Sequence, residues 1–217
     1  MILDPQQREQ HVRSLLKLDG LEVREDTKAC YCALPLTGAA PEMRKLIEEE
    51  HDKIKACISR AGLRIYDPKD SGTNPWIKLE GKPQDVYDLD TIQVVTPRFF
   101  EFTNLYPSTG AGIEEHKAIS YVKIPVIVTK SGMYTSRMSN GARRVILIEY
   151  ENADSQQDDI TGVFKTLGGY EPGIGLCSMH GNTLIGFCDG KDPLCLPGLV
   201  ASKFSGLAYN FDKYLTL

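Results

Sequence analysis

The chain has 217 residues, 41% of them hydrophobic and 25% charged, the composition of a globular protein with one well-buried domain plus elaborations. A formal net charge of −4 gives no electrostatic reason to expect a nucleic-acid partner, and no apolar run reaches transmembrane length. The N-terminus carries acids and amides where a signal peptide needs an apolar core, so a cytoplasmic protein with six reduced cysteines is expected.

Residues 5–18 suit a short amphipathic helix, with Val12, Leu15, Leu16 and Leu18 loosely on one side, and residues 1–25 read as an N-terminal extension. The run KACYCALPL then predicts a buried strand, ended by Pro35 and a turn at Thr37 and Gly38. Cys30 and Cys32 stand one residue apart within it, a spacing read as turning them toward different partners, unlike a CxxC redox pair. A helix is expected from Pro41, with apolar residues at Met43, Leu46, Ile47, Ile54, Cys57 and Ile58 and a stop at Gly62.

The segment LRIYDP reads as a second strand, followed by the loop KDSGTNPW, a weaker helix over residues 85–95 and a third strand in RFFEFTNLY. Beyond PSTGAGIEEHKA come a short helix over residues 114–121, a fourth strand, IPVIVTK, and a fifth, RRVILIEY. Alternating strands and helices predict an α/β fold: a flavodoxin-like or Rossmann-like open sheet of about five mainly parallel strands, with ligands beyond their carboxyl ends. Residues 26–152 form this core. In 153–217, a C-terminal elaboration packed on it, IGLC and TLIGFC pair as a hairpin and LVASKFSGLAYNFDKYL closes the chain as a helix. Cys177, Cys188 and Cys195, with His180 nearby, match no zinc spacing, and no metal is expected.

PSTGAGIEEHKA leaves the carboxyl end of a predicted strand and enters a helix, where an open α/β sheet places its binding loops. Gly110 and Gly112 supply two glycines of a dinucleotide fingerprint, but Glu115 occupies the third position, and no Gly-Lys-Ser/Thr follows as a Walker loop would require. No cofactor is expected. A carboxylate reading fits better: Glu114, placed in the first helical turn, is held ionised by the macrodipole and free amides and can attack an electrophilic carbon. Gly110 and Gly112 let a ligand approach the backbone, and the hydroxyls of Ser108 and Thr109 can hold an oxyanion or phosphate. The same residues also suit ordinary helix capping.

These residues resemble the nucleoside 2-deoxyribosyltransferase superfamily, which includes deoxynucleoside 5′-monophosphate N-glycosidases. The family pattern of a Ser or Asp, two spaced glycines, a glutamate and a small residue four later falls on Ser108, Gly110, Gly112, Glu114 and Ala118, before a strand that begins after Lys123 with Pro125. YCALPLTG is similar to the family's first strand and substrate loop, LRIYDP to its second strand, and VYDLD to the segment supplying an acid, here Asp90. The resemblance covers roughly residues 28–150.

It implies a homo-oligomer, a dimer in the simplest case, acting on a small-molecule nucleoside or nucleotide. Glu114 would attack the anomeric carbon, Asp90 would orient it or protonate the departing base, and Ser108 marks the branch that binds a 5′-phosphate. Tyr31, Pro35, Thr37 and Gly38 would line the substrate, with Tyr31 and Trp76 as stacking platforms for a base. The first loop carries Leu34 and Pro35 where phosphate-binding members have Gly-Ser, and Arg98, Glu101, Glu115 and His116 stand at usually small or apolar positions. Hydrolysis of NAD or another ribosyl nucleotide, and a nucleotide-sensing module without turnover, are the alternatives on the same fold.

Overall fold

A computed structural model describes residues 23–35, 39–70, 83–121, 123–133, 146–168, 176–180, 183–188, 198–201 and 207–208. The expected N-terminal helix lies outside the described residues. Five parallel strands, β1 (Asp26–Ala33), β2 (Arg64–Tyr66), β3 (Pro97–Asn104), β4 (Ile124–Lys130) and β5 (Ile146–Tyr150), stand in the order β2-β1-β3-β4-β5. This is the flavodoxin-like order, whose switch point lies between β1 and β3. Central strands covered on both faces need no polar alternation, which is why β4 is almost continuously apolar and buried from Pro125 to Thr129.

Among the described residues four helices flank the sheet: α1 (Pro41–Arg60), α2 (Pro83–Val95), α3 (Thr109–Ser120) and α4 (Gln157–Gly168). Pro41 opens α1, where a missing amide hydrogen costs nothing, and Gly62 just beyond its end has φ 84°, a conformation that favours glycine. Helices α1 and α4 pack on one face through Ile54, Cys57, Ile58, Ile160, Val163, Phe164 and Leu167, against Phe99, Val126, Val128, Ile148 and Tyr150. Helices α2 and α3 cover the other face with Val94, Ala111 and Ala118 against Tyr31, Phe100, Phe102 and Ile127.

Two expectations are corrected, and one helix is added. Cys30 and Cys32 share one face of β1 and one core cluster, since alternate strand residues point the same way; they are free, fully buried thiols. Helix α4, to which the sequence reading gave no element, belongs to the same core as α1. The closing segment is not helical at its start: Gly198–Ala201 forms β8, paired antiparallel with β7 (Thr183–Cys188), which pairs with β6 (Leu176–His180) as the expected hairpin. A short β9 (Leu207–Ala208) adds antiparallel to β5.

Candidate functional site

The site is built where β3 ends and α3 begins, beside the carboxyl end of β1. Ser108 is the N-cap of α3: its backbone is extended (φ −141°, ψ 123°), and its Oγ accepts from the Ala111 amide at 3.3 Å. The helix therefore starts at Thr109, earlier than the expected residue 114, and the glycines lie inside it rather than in a turn. A Cβ on Gly112 would meet nothing within 4 Å, and one on Gly110 only Ser108 Oγ at 3.9 Å. Glycine in a helix interior costs about 0.5–1 kcal/mol relative to alanine, so these two leave open backbone surface that local packing does not require.

This start moves Glu114 into the second turn, with no acid in the first. The macrodipole thus does not hold it ionised as expected. Burial instead pushes its carboxyl up to about 8; the Tyr31 hydrogen bond opposes this, the Asp90 charge adds to it and Lys117 opposes it. Tyr31 Oη donates to Glu114 Oε1 at 3.0 Å. The Tyr31 hydroxyl is itself held well above its usual range by burial and by the charges of Glu114 and Asp90, so it remains a donor.

Tyr31 is not the stacking platform expected of it. Its ring is fully buried and lies parallel to Phe100, with centroids 5.8 Å apart and planes 11° apart. What it offers the site is its hydroxyl. Asp90, partly exposed on α2, acts electrostatically on both Glu114 and Tyr31, so the structure gathers Glu114, Asp90 and Tyr31 from α3, α2 and β1. Ser108 is partly exposed and Thr109 exposed at the head of α3, and Pro35 is buried after β1. Thr37, Gly38 and Trp76 lie outside the described residues.

Sequence reasoning missed Lys117. It follows Glu114 by three residues, a spacing that shares a helix face, and its Nζ lies 3.4 Å from the centroid of the Tyr87 ring and donates to Thr91 Oγ1 on α2.

The opposite face of β3 carries a second polar group. Glu101 is fully buried among α1 side chains: Thr103 Oγ1 donates to Glu101 Oε1 at 2.7 Å and lies 2.8 Å from His51 Nδ1. His51 Nε2 stands 3.9 Å from Asp67, which Lys55 holds at 2.6 Å. Burial pushes Glu101 up to about 8 and His51 down to about 3, so near pH 7 this cluster contains a neutral acid and a neutral imidazole. Among the described residues no group of three His, Cys, Asp or Glu side chains could hold a metal ion, and no helix is long and apolar enough to cross a membrane.

Fold and site together define an α/β open-sheet protein with a partly buried carboxyl at the carboxyl edge of its sheet. No protein-family model matches the chain, and no curated protein does. Among solved structures, the chain is similar to the Clostridium botulinum CMP N-glycosidase BcmB at 13% identity and a TM-score of 0.46, over 63% of this chain and 99% of that one.

Proposed function

We propose that the protein cleaves, or transfers across, the N-glycosidic bond of a nucleoside or nucleoside 5′-monophosphate through a covalent glycosyl-glutamate at Glu114. The observation that carries this reading is a partly buried glutamate in the second turn of the helix after β3, hydrogen-bonded by Tyr31 and influenced by the charge of Asp90. Two interacting acids hold protons as a pair, and the productive arrangement leaves Glu114 ionised and the proton on Asp90. Tyr31 favours that arrangement because its hydroxyl donates to the glutamate oxygen.

In the first step the Glu114 carboxylate forms a bond to the anomeric carbon while the bond to the base breaks. The electron pair leaves with the base nitrogen, and Asp90 delivers its proton to the base. In the second step Asp90, now ionised, takes a proton from water; the hydroxyl bonds to the same carbon and Glu114 leaves as a carboxylate. A second base in place of water turns hydrolysis into transfer. The open backbone at Gly110 and Gly112 leaves room for the sugar, and Ser108, whose Oγ accepts the capping hydrogen bond, keeps its hydroxyl hydrogen for a substrate oxygen.

The test is base release by the full chain from a panel of deoxynucleosides, deoxynucleoside 5′-monophosphates and NAD, read by chromatography. Glu114→Gln is expected to lower release by roughly 10⁴-fold, the order lost on removing a covalent nucleophile; release unchanged in that variant overturns the mechanism. NAD is the arm for a ribosyl substrate, in which nicotinamide is the product. A homo-oligomer, first a dimer, is part of the proposal and is measured by light scattering.

One observation favours a second reading, a nucleotide-binding module without turnover. Leu34 and Pro35 are both buried after β1 and replace a Gly-Ser pair, and proline has no amide hydrogen to give a phosphate. Stoichiometric nucleotide binding with no base release over hours supports that reading.

A further inference from the structure

Lys117 stands three residues beyond Glu114 on α3, yet its ammonium is anchored on the neighbouring helix. Nζ lies over the Tyr87 ring, 3.4 Å from its centroid, and donates to Thr91 Oγ1. Thr91 Oγ1 donates its own hydrogen to the Tyr87 carbonyl at 2.6 Å, so the lone pair left on that oxygen accepts from the ammonium. Thr91 is the residue after Asp90, and it is buried. The cation is therefore fixed at the α2–α3 junction, with one carboxyl of the site on each helix.

The groups that act on Glu114 are the Tyr31 hydroxyl from β1, the Asp90 carboxyl from α2 and the Lys117 ammonium from α3. Tyr31 is a neutral donor, and Asp90 shares one proton with Glu114. Lys117 supplies the positive charge that draws that proton off Glu114 and toward Asp90.

We propose that Lys117 is a positioning residue of the Glu114 site: clamped on Tyr87 and Thr91, its ammonium joins α2 to α3 and lets Glu114 ionise beside Asp90. Its part in nucleophilic attack rests on the proposed N-glycosidic reading, whereas its control of Glu114 ionisation does not. Substitution by methionine keeps an unbranched apolar stem against Tyr87 and removes only the charge and its hydrogen bond. Arginine keeps the charge and stacks on an aromatic ring at least as well.

The experiment is a carboxyl-carbon NMR titration of the full chain labelled at the glutamate side-chain carboxyls, with Glu114→Gln identifying the Glu114 resonance. The expected results are a wild-type midpoint near 8, an upward move of about one pH unit in Lys117→Met, and return toward the wild-type midpoint in Lys117→Arg. A Lys117→Met midpoint equal to wild type overturns the proposal. Should that variant fail to fold, Thr91→Val and Tyr87→Leu release the ammonium from the other side, and the same upward shift is required of them.

No base release by wild type alongside the expected NMR shift removes the enzymatic reading alone. Base release with a shifted NMR midpoint but an unshifted alkaline limb in Lys117→Met removes the role of Lys117 in attack.

Discussion

The Glu101→Gln substitution isolates the cost of a buried carboxyl on the α1 side of β3. Glu101 rises from an ordinary value near 4.5 to about 8, so between those values the folded chain holds a proton that the unfolded chain has lost. Stability then falls as pH rises through that window. His51 acts in the opposite sense: its folded value of about 3 lies below the ordinary 6.5, so its contribution grows as pH rises from 3 to 6.5 and is constant above. From pH 4.5 to 6.5 the two slopes cancel, and from 6.5 to 8 Glu101 acts without opposition from His51.

Over the roughly 1.5 pH units of that upper window, one proton amounts to about 2 kcal/mol. Glu114, also raised to about 8, adds a loss of the same sign, smaller because its side chain keeps part of its surface in solvent. Wild-type stability from urea denaturation is therefore expected to fall between pH 6.5 and 8, and Glu101→Gln to remove about 2 kcal/mol of that fall. The amide keeps an oxygen for the Thr103 hydroxyl, so the variant retains the hydrogen bond at Oε1. Parallel stability curves for wild type and variant across pH 6.5–8 would refute the assignment of a neutral, buried Glu101.

Tyr31→Phe preserves the ring stacked on Phe100 and removes the donor to Glu114; a hydrogen bond to a charged group is worth about 1.5–3 kcal/mol, so kcat/KM near pH 7 should fall by about 10- to 100-fold while thermal stability changes little. For wild type, kcat/KM should fall as pH rises through about 8, where the Glu114–Asp90 pair loses the proton that Asp90 delivers to the base, and a plateau extending well above pH 8 contradicts the shared proton. Ile160→Ala, in the core between α4 and the sheet, should cost about 2–5 kcal/mol by denaturant midpoint. Gly62→Ala meets no neighbour within 4 Å, so its cost is the left-handed backbone alone, about 1 kcal/mol.

The sheet was legible because each central strand is an apolar run bounded by turn residues, and α1 because Pro41 and Gly62 mark its ends with opposite chemistry. Helix α4 was not. Thr161 and Gly162 weaken its helical signal, and its entry depends on side chains folding back on the backbone: Gln156 Oε1 accepts from the amides of Glu151 and Asn152, and Asn152 Oδ1 from those of Asp154 and Ser155. The head of α3 was misplaced because Ser-Thr-Gly serves equally as turn or cap, and only the structure puts Ser108 at the cap. That shift of one turn changes the electrostatics of Glu114 from helix-end stabilisation to burial.

Tyr31 was misjudged, and Glu101 left without a place, for a related reason: a sequence gives residue type, while strand alternation decides which face receives it. In the β1–β3 register Tyr31 pairs with Phe100 and Cys32 with Glu101. The first pair points toward α2 and α3, where the tyrosine ring packs on Phe100 and its hydroxyl reaches Glu114. The second points toward α1, where Glu101 is sealed with Thr103 and His51. A one-residue slip of β3 would exchange these faces, placing Glu101 toward the Glu114 side and Phe100 among the polar groups of α1. Both losses act against the slip, so the buried polar group on the α1 face also helps fix the register that presents Tyr31 to the candidate nucleophile.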